Sequence, residues 1–239
     1  MNSSDIGAIK RFTLSRMLEH HLNAVVFVLL VVTGLSQKFH EYGLSQWIIM
    51  KLGGVDSVRL IHRYSGLSLA VLTTSHIIMA SLGVIMKKWP ASMVINLNDF
   101  RDAVTNLKYY FGLTNHPAQC GRFDYKQKFE YWGVVVGGML MVGTGLVLWF
   151  PVTAASVFPG EIIPAAKAAH TNEALLAFLV IVTWHIYNSI FSPEVFPLDT
   201  AIFTGSISRK RMAHEHPLEL AELEGRQIET LLPRHQDGA

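Results

Sequence analysis

Residues 62–86 read HRYSGLSLAVLTTSHIIMASLGVIM, and after Arg63 the stretch contains no Asp, Glu, Lys or Arg. An α-helix advances about 1.5 Å per residue, so the 23 residues from Tyr64 to Met86 cover about 34 Å, enough to cross roughly 30 Å of bilayer hydrocarbon. The two histidines, 14 residues apart, stand roughly 21 Å apart along the axis and within about 40° of each other around it. One helix therefore carries an imidazole near each membrane face, both on one side. A titratable ring at that depth costs a few kcal/mol unless a partner offsets it, and a neutral imidazole bonded to haem iron has such a partner.

The rest of the chain repeats the arrangement. His170 and His185, 15 residues apart, flank the last apolar run, and His20 opens the first. Half the residues are hydrophobic, 16% are charged, and mean hydropathy is +0.31, with the charges gathered between apolar runs. Four spans are predicted, at about 17–36, 62–86, 130–151 and 170–191. The fold class is an all-α membrane protein, a four-transmembrane-helix bundle over residues 1–192 followed by a charged tail over 193–239.

Basic residues set the orientation. Fifteen of the 20 Lys and Arg residues precede the first span, lie between the second and third, or follow the fourth. Only Lys38, Lys51, Arg59, Arg63 and Lys167 lie on the opposite side. Both termini are therefore expected in the cytoplasm, with the chain multi-pass. His62 and His170 then lie near the outer face, and His20, His76 and His185 nearer the inner one. The first 16 residues are polar and no small-residue cleavage site follows the first apolar run, so the first span is expected to stay in the mature protein. The single cysteine, Cys120, excludes an internal disulfide, a Cys-ligated cluster and covalent c-type attachment, so any haem is b-type. No nucleic-acid partner is expected.

Between spans, Leu44 to Leu52 suits an interfacial helix. Asn98 to Phe111 places Phe100, Val104, Leu107 and Phe111 opposite Arg101, Asp102 and Lys108, as in an amphipathic helix on the cytoplasmic surface. Pro193 and Pro197 stop the last helix, and the tail is either helical over Leu218 to Leu232 or solvated. Gly133, Gly137, Gly138, Gly143 and Gly145 in the third span suit close helix packing, or leave room for a flat macrocycle. Geometry alone offers His76 with His185 as the inner ligand pair.

Several stretches resemble the γ subunits of membrane formate dehydrogenases: Arg11-Phe12-Thr13 with His20 beyond it, Ile61-His62-Arg63-Tyr64-Ser65-Gly66, Lys126-Gln127-Lys128-Phe129-Glu130-Tyr131-Trp132, Gly145-Leu146-Val147-Leu148-Trp149-Phe150-Pro151, and His185-Ile186-Tyr187. The similarity covers roughly 11–191 and extends to the wider cytochrome b561-like group that includes Ni-Fe hydrogenase cytochrome b subunits. It implies two b-type haems, the outer held by His62 and His170 and the inner by His20 and His185, with His76 the alternative inner ligand. The relatives separate the two histidines of the fourth helix by about 14 residues, against 15 here.

The resemblance also implies quinone chemistry close to the inner haem, in the segment just before the third span. Asp124, which falls where the relatives carry asparagine, Gln127 and Glu130 are the quinone candidates, since a quinone taking two electrons also takes two protons. Arg63 outside and Arg16 inside are propionate candidates, with Arg59, Lys167 and Arg11 as further cations. Ser65, Thr73, Thr171 and Glu173 are candidate partners for the second ring nitrogens of the ligands.

The expected function is a cytochrome b subunit passing electrons between menaquinone or ubiquinone and an outer-surface iron–sulfur or multihaem cytochrome c subunit, itself attached to a catalytic subunit. The alternatives are a stand-alone cytochrome b561-like oxidoreductase acting on a small diffusible reductant or superoxide, and a haem-free anchor or transporter.

Overall fold

The computed structural model describes residues 7–193 and 195–225. Four helices are long and apolar enough to cross a membrane: α1 (Leu14–Lys38), α3 (Val55–Ile85), α5 (Tyr125–Trp149) and α7 (Ile162–Val180), the last continuing without a break to Phe191. Each begins earlier than its predicted span, because helical hydrogen bonding continues beyond the stretch that hydropathy and histidine position select. α3 gains the two turns beginning at Val55, with Asp56 favourably placed near its positive end. Short helices α2 (Gly43–Lys51) and α6 (Pro151–Val157) occupy the two short loops. Pro151 closes α5 and opens α6, since a residue before proline leaves the helical region while proline suits a first turn.

The described chain forms two compact units. One consists of Leu14–Trp89 and Gly133–Asp199, and here α1 packs along α3. Most of its apolar side chains point outward, and several of the buried positions, such as Thr33, Ser36, Ser65 and Gly83, are small or polar. That is the distribution a lipid-facing bundle requires, because lipid offers no hydrophobic drive between helices and small residues let them approach. The ends of the spans alternate, so His62 and His170 lie toward the short-loop end and His20, His76 and His185 toward the other.

The other unit takes in residues 7–13, 90–132 and 200–225. β1 (Ala8–Lys10) pairs antiparallel with β2 (Ser206–Ser208), with Ile9 opposite Ile207. Ile207, Met212 and Leu220 make its apolar core, supplied by β2, α9 (Arg209–Glu215) and α10 (Pro217–Leu223), with α8 (Ala201–Thr204) leading into β2. Glu219, buried, receives Arg11 at 2.8 Å and Arg122 at 2.8 Å, while each arginine also donates to the other's backbone carbonyl. Residues 200–225 are therefore folded rather than solvated, and the rest of the predicted helix to Leu232 lies outside the described residues. α4 (Leu97–Tyr110) begins with a capping box of Asn96 and Asp99, and Lys128 holds Asp99 at 2.8 Å.

Candidate functional site

Two histidine pairs form inside the spans. The ring centroids of His62 and His170 lie 6.2 Å apart with planes at 77°, and those of His20 and His185 lie 6.0 Å apart at 32°. A metal–nitrogen bond of about 2.0 Å, with the centroid about 1.1 Å behind the nitrogen, sets two rings on opposite faces of one iron about 6.2 Å apart. Both pairs have that separation. Rings in simple contact also fall in this range, so the orientation of the ring nitrogens carries the discrimination.

For the His62 pair that orientation is visible. Thr33 Oγ1 lies 2.9 Å from His62 Nδ1, and Thr144 Oγ1 lies 2.9 Å from His170 Nδ1. With each Nδ1 turned to a threonine, each Nε2 is the nitrogen left to take a metal. A Cβ built on Gly66, one turn beyond His62, would meet no heavy atom within 4 Å. A macrocycle has room on that side of the helix, and the residues present fit a bis-histidine haem. Among the third-span glycines, the structure divides the roles: Gly137 lies against Glu173 and Gly138 against Thr73, whereas Gly133 and Gly143 face open space.

His185 reaches His20 through an irregular stretch of the fourth span. Ile181–His185 and Tyr187–Phe191 are π-helical: Ile186 N donates to Ile181 O, and Ser192 N to Tyr187 O at 2.8 Å. A π turn takes up an additional residue compared with an α turn. The 15 residues from His170 to His185 thereby sweep about the angle of 14 α-helical ones, which is the spacing implied by the resemblance.

His76 sits in a different setting. Its Nδ1 meets the Glu19 carboxylate, and Arg16 approaches the same nitrogen at 3.2 Å while bonding Glu19 at 2.9 Å. The Arg16 guanidinium also lies 4.9 Å from the centre of the Trp89 ring, which occupies the space that Gly83 leaves by lacking a Cβ. Arg63 stacks near Trp149, 5.6 Å from its ring centre. Arg11, offered by the sequence as a cation for the inner face, is instead committed to Glu219 and the Arg122 carbonyl. Thr171 bonds back to Lys167 O and Ala168 O.

The quinone candidates lie in the other unit. Asp124 Oδ1 accepts from Gln127 N at 2.7 Å, and Gln127 Oε1 accepts from Asp124 N at 3.2 Å, a reciprocal cap on α5. Glu130 follows one turn on, half-buried. A cavity of about 280 Å³ in the same unit is lined by Asp99, Asp102, Gln119 and Lys128 among others, but by none of the three candidates. Burial, together with Asp99 and Asp124, holds the Asp102 carboxyl above the usual range despite Lys128. Burial likewise pushes the Cys120 thiol up to about 12, so it stays a neutral packed side chain.

Sequence reasoning missed Thr33, Thr144 and Glu19. The first two had a readable signal, since Thr-Gly-Leu occurs at 33–35 and again at 144–146 and the only Thr-Gly steps in the spans are these two. Glu19 had none, because a carboxylate beside His20 at the start of a span reads as an interfacial charge.

A family model described as prokaryotic cytochrome b561 matches residues 11–201. Among curated proteins, the chain is similar to the formate dehydrogenase cytochrome b556(fdo) subunit of Escherichia coli K12, 25% identical over 209 residues that cover 87% of this chain and 90% of the relative. It is also similar to the nitrate-inducible formate dehydrogenase cytochrome b556(Fdn) subunit of the same strain, 22% identical over 205 residues, 86% of this chain and 87% of the relative. A formate dehydrogenase cytochrome b556 subunit of Haemophilus influenzae is 22% identical over 185 residues, 77% and 71% of the two chains.

Proposed function

Given that the chain belongs to the prokaryotic cytochrome b561 family, we propose that it carries two b-type haems in series across the inner membrane and passes electrons between quinone and a redox subunit docked outside. The observation that carries this reading is the pair of matched histidine couples, 6.2 Å and 6.0 Å between centroids, at opposite ends of one set of spans. His62 and His170 hold the outer haem, and His20 and His185 the inner one. His76 is better suited to a supporting role, since it is His20 whose ring faces that of His185, 6.0 Å between centroids. Both termini are cytoplasmic, in keeping with the excess of Lys and Arg on that side.

Haem b supplies one-electron transfer at each site. The chain's own residues hold, orient and shield. Arg63 at the short-loop end and Arg16 at the long-loop end meet the propionates. Asp124, Gln127 and Glu130 hold the quinone, menaquinone or ubiquinone, and supply the protons it takes up from the cytoplasmic side. The outside partner is an iron–sulfur or multihaem cytochrome c subunit, joined to the catalytic subunit that acts on the substrate, as the relatives' names connect them with formate dehydrogenase.

Co-purification with the associated chains, followed by pyridine haemochrome quantitation and a redox titration resolving each haem, tests the reading. Two b haems per chain and quinol-dependent reduction are expected. A single haem, or reduction by a small diffusible reductant with no associated subunit, would replace it with the stand-alone oxidoreductase. Absence of haem would end it.

A further inference from the structure

We propose that Thr33-Gly34 on α1 and Thr144-Gly145 on α5 are paired seats that fix the tautomer and ring orientation of the two axial ligands of the outer haem. This rests on the assignment of His62 and His170 to one iron.

The argument begins with a count of protons. A threonine hydroxyl has one. Thr33 Oγ1 lies 2.6 Å from Leu29 O, and Thr144 Oγ1 lies 2.7 Å from Leu140 O. A carbonyl oxygen only accepts, so each hydroxyl proton goes to its carbonyl. The contacts from the hydroxyls to His62 Nδ1 and His170 Nδ1, both 2.9 Å, then need the ring to donate. Each Nδ1 carries the proton, and each Nε2 keeps its lone pair for iron. Thr33 is only 1% exposed, so water does not substitute for it. Its β-branched side chain is stiff at χ1, which makes the anchor a fixed one.

The glycines complete the seat. A Cβ at Gly34 would stand 3.1 Å from His62 Cε1, and one at Gly145 would stand 3.4 Å from His170 Cε1. Each ring therefore lies against a glycine while its Nδ1 bonds to the preceding threonine. α1 and α5 supply similar seats to histidines that come from α3 and α7, with the Met141 carbonyl a second acceptor for His170, so the larger effect is expected at Thr33. The third span carries no histidine, and its part in this site is to orient one.

An axial imidazole donating to a neutral hydroxyl is more basic than one with no acceptor, and a more basic ligand favours ferric iron. Removing the acceptor should therefore raise the midpoint potential of the outer haem and leave that of the inner haem in place. The test uses the holoprotein with its associated chains and compares T33V, T144V and the double variant with T33S and T144S. Haem content, a redox titration and the low-spin ferric EPR signals are read for each. With both haems retained, a raised outer midpoint and a shifted outer EPR signal in the valine variants, larger in the double variant and recovered in the serine ones, is the expected result. If the valine variants lose haem, loss of the outer haem alone, restored by serine, supports the seats, since such partners are commonly worth about 10–100-fold in metal affinity. Unchanged potentials and EPR signals in the double variant overturn the proposal, as does loss of both haems that serine fails to restore. Failure of the ligand assignment has a separate signature, loss of the inner signal, or of neither, in H62A.

Discussion

The two histidine pairs reach nearly the same ring separation in different surroundings. At the short-loop end, His62 and His170 are held by short neutral hydroxyls on α1 and α5, with glycine beneath each ring. At the other end the nearby chemistry is ionic, with Glu19, Arg16 and His76 joined in one cluster, and the helix that delivers His185 is π-helical. Neutral anchors on regular helices define a site by shape. The ionic cluster is held by charge balance, so loss of one member leaves another uncompensated in a poor solvent for charge.

The largest expected effect divides the pairs outright. His62→Ala or His170→Ala should remove one haem, His20→Ala or His185→Ala the other, and His76→Ala neither, as read from haem content and the surviving midpoint. If His76→Ala instead abolishes the inner haem, the alternative ligand is the correct one, and the ionic cluster needs another explanation.

Next comes register, which should matter at one end only. Deleting Val182 from the π-helical turn should let it relax to an α-helix with both haems kept, because 14 regular residues sweep about the same angle as the present 15. Inserting an alanine after Val182 should cost the inner haem while the outer one, upstream on α7, is retained. Equal effects of deletion and insertion would show that the π turn compensates for nothing.

The unit of residues 7–13, 90–132 and 200–225 offers a measure of ionic pairing by itself. Glu219→Ala would strand Arg11, whose side chain is 4% exposed, and should destabilise the unit by about 3 kcal/mol. Amide exchange across 200–225 reports it, and an effect below about 1 kcal/mol would mean that solvent reaches the arginines.

The smallest effect is a pH dependence in the same unit. Burial first, then Arg11, pulls His216 down to about 4, against the pull of the Gly121 carbonyl. The folded form binds its proton less readily than the unfolded chain, so stability is full above about pH 6.5 and falls as the pH drops from there toward 4. The loss at pH 5 should be about 2 kcal/mol. His216→Gln should flatten the amide-exchange profile between those limits. An unchanged slope in that variant would assign the acid sensitivity to the carboxylates instead.

Hydropathy and periodicity were sufficient for the four spans, the short helix in the first short loop and the amphipathic α4, because these depend on composition and period along a single helix. The C-terminal segment was harder. Its charges suggest solvation, yet Glu219 is buried between Arg11 and Arg122, and that pairing joins positions about 100 and 200 residues distant in sequence. The extra residue between His170 and His185 was countable in sequence, but its absorption by a π turn was not.

The chain by itself therefore determined which segments enter lipid and which residue types are available to hold haem, since both follow from local chemistry repeated at helical intervals. Only the tertiary structure decided which imidazoles come to face each other, that His76 turns to Glu19, and that two threonines orient His62 and His170. Those outcomes depend on which faces of different helices are brought within hydrogen-bond distance, and the periodicity of one helix carries no record of its neighbour's rotation.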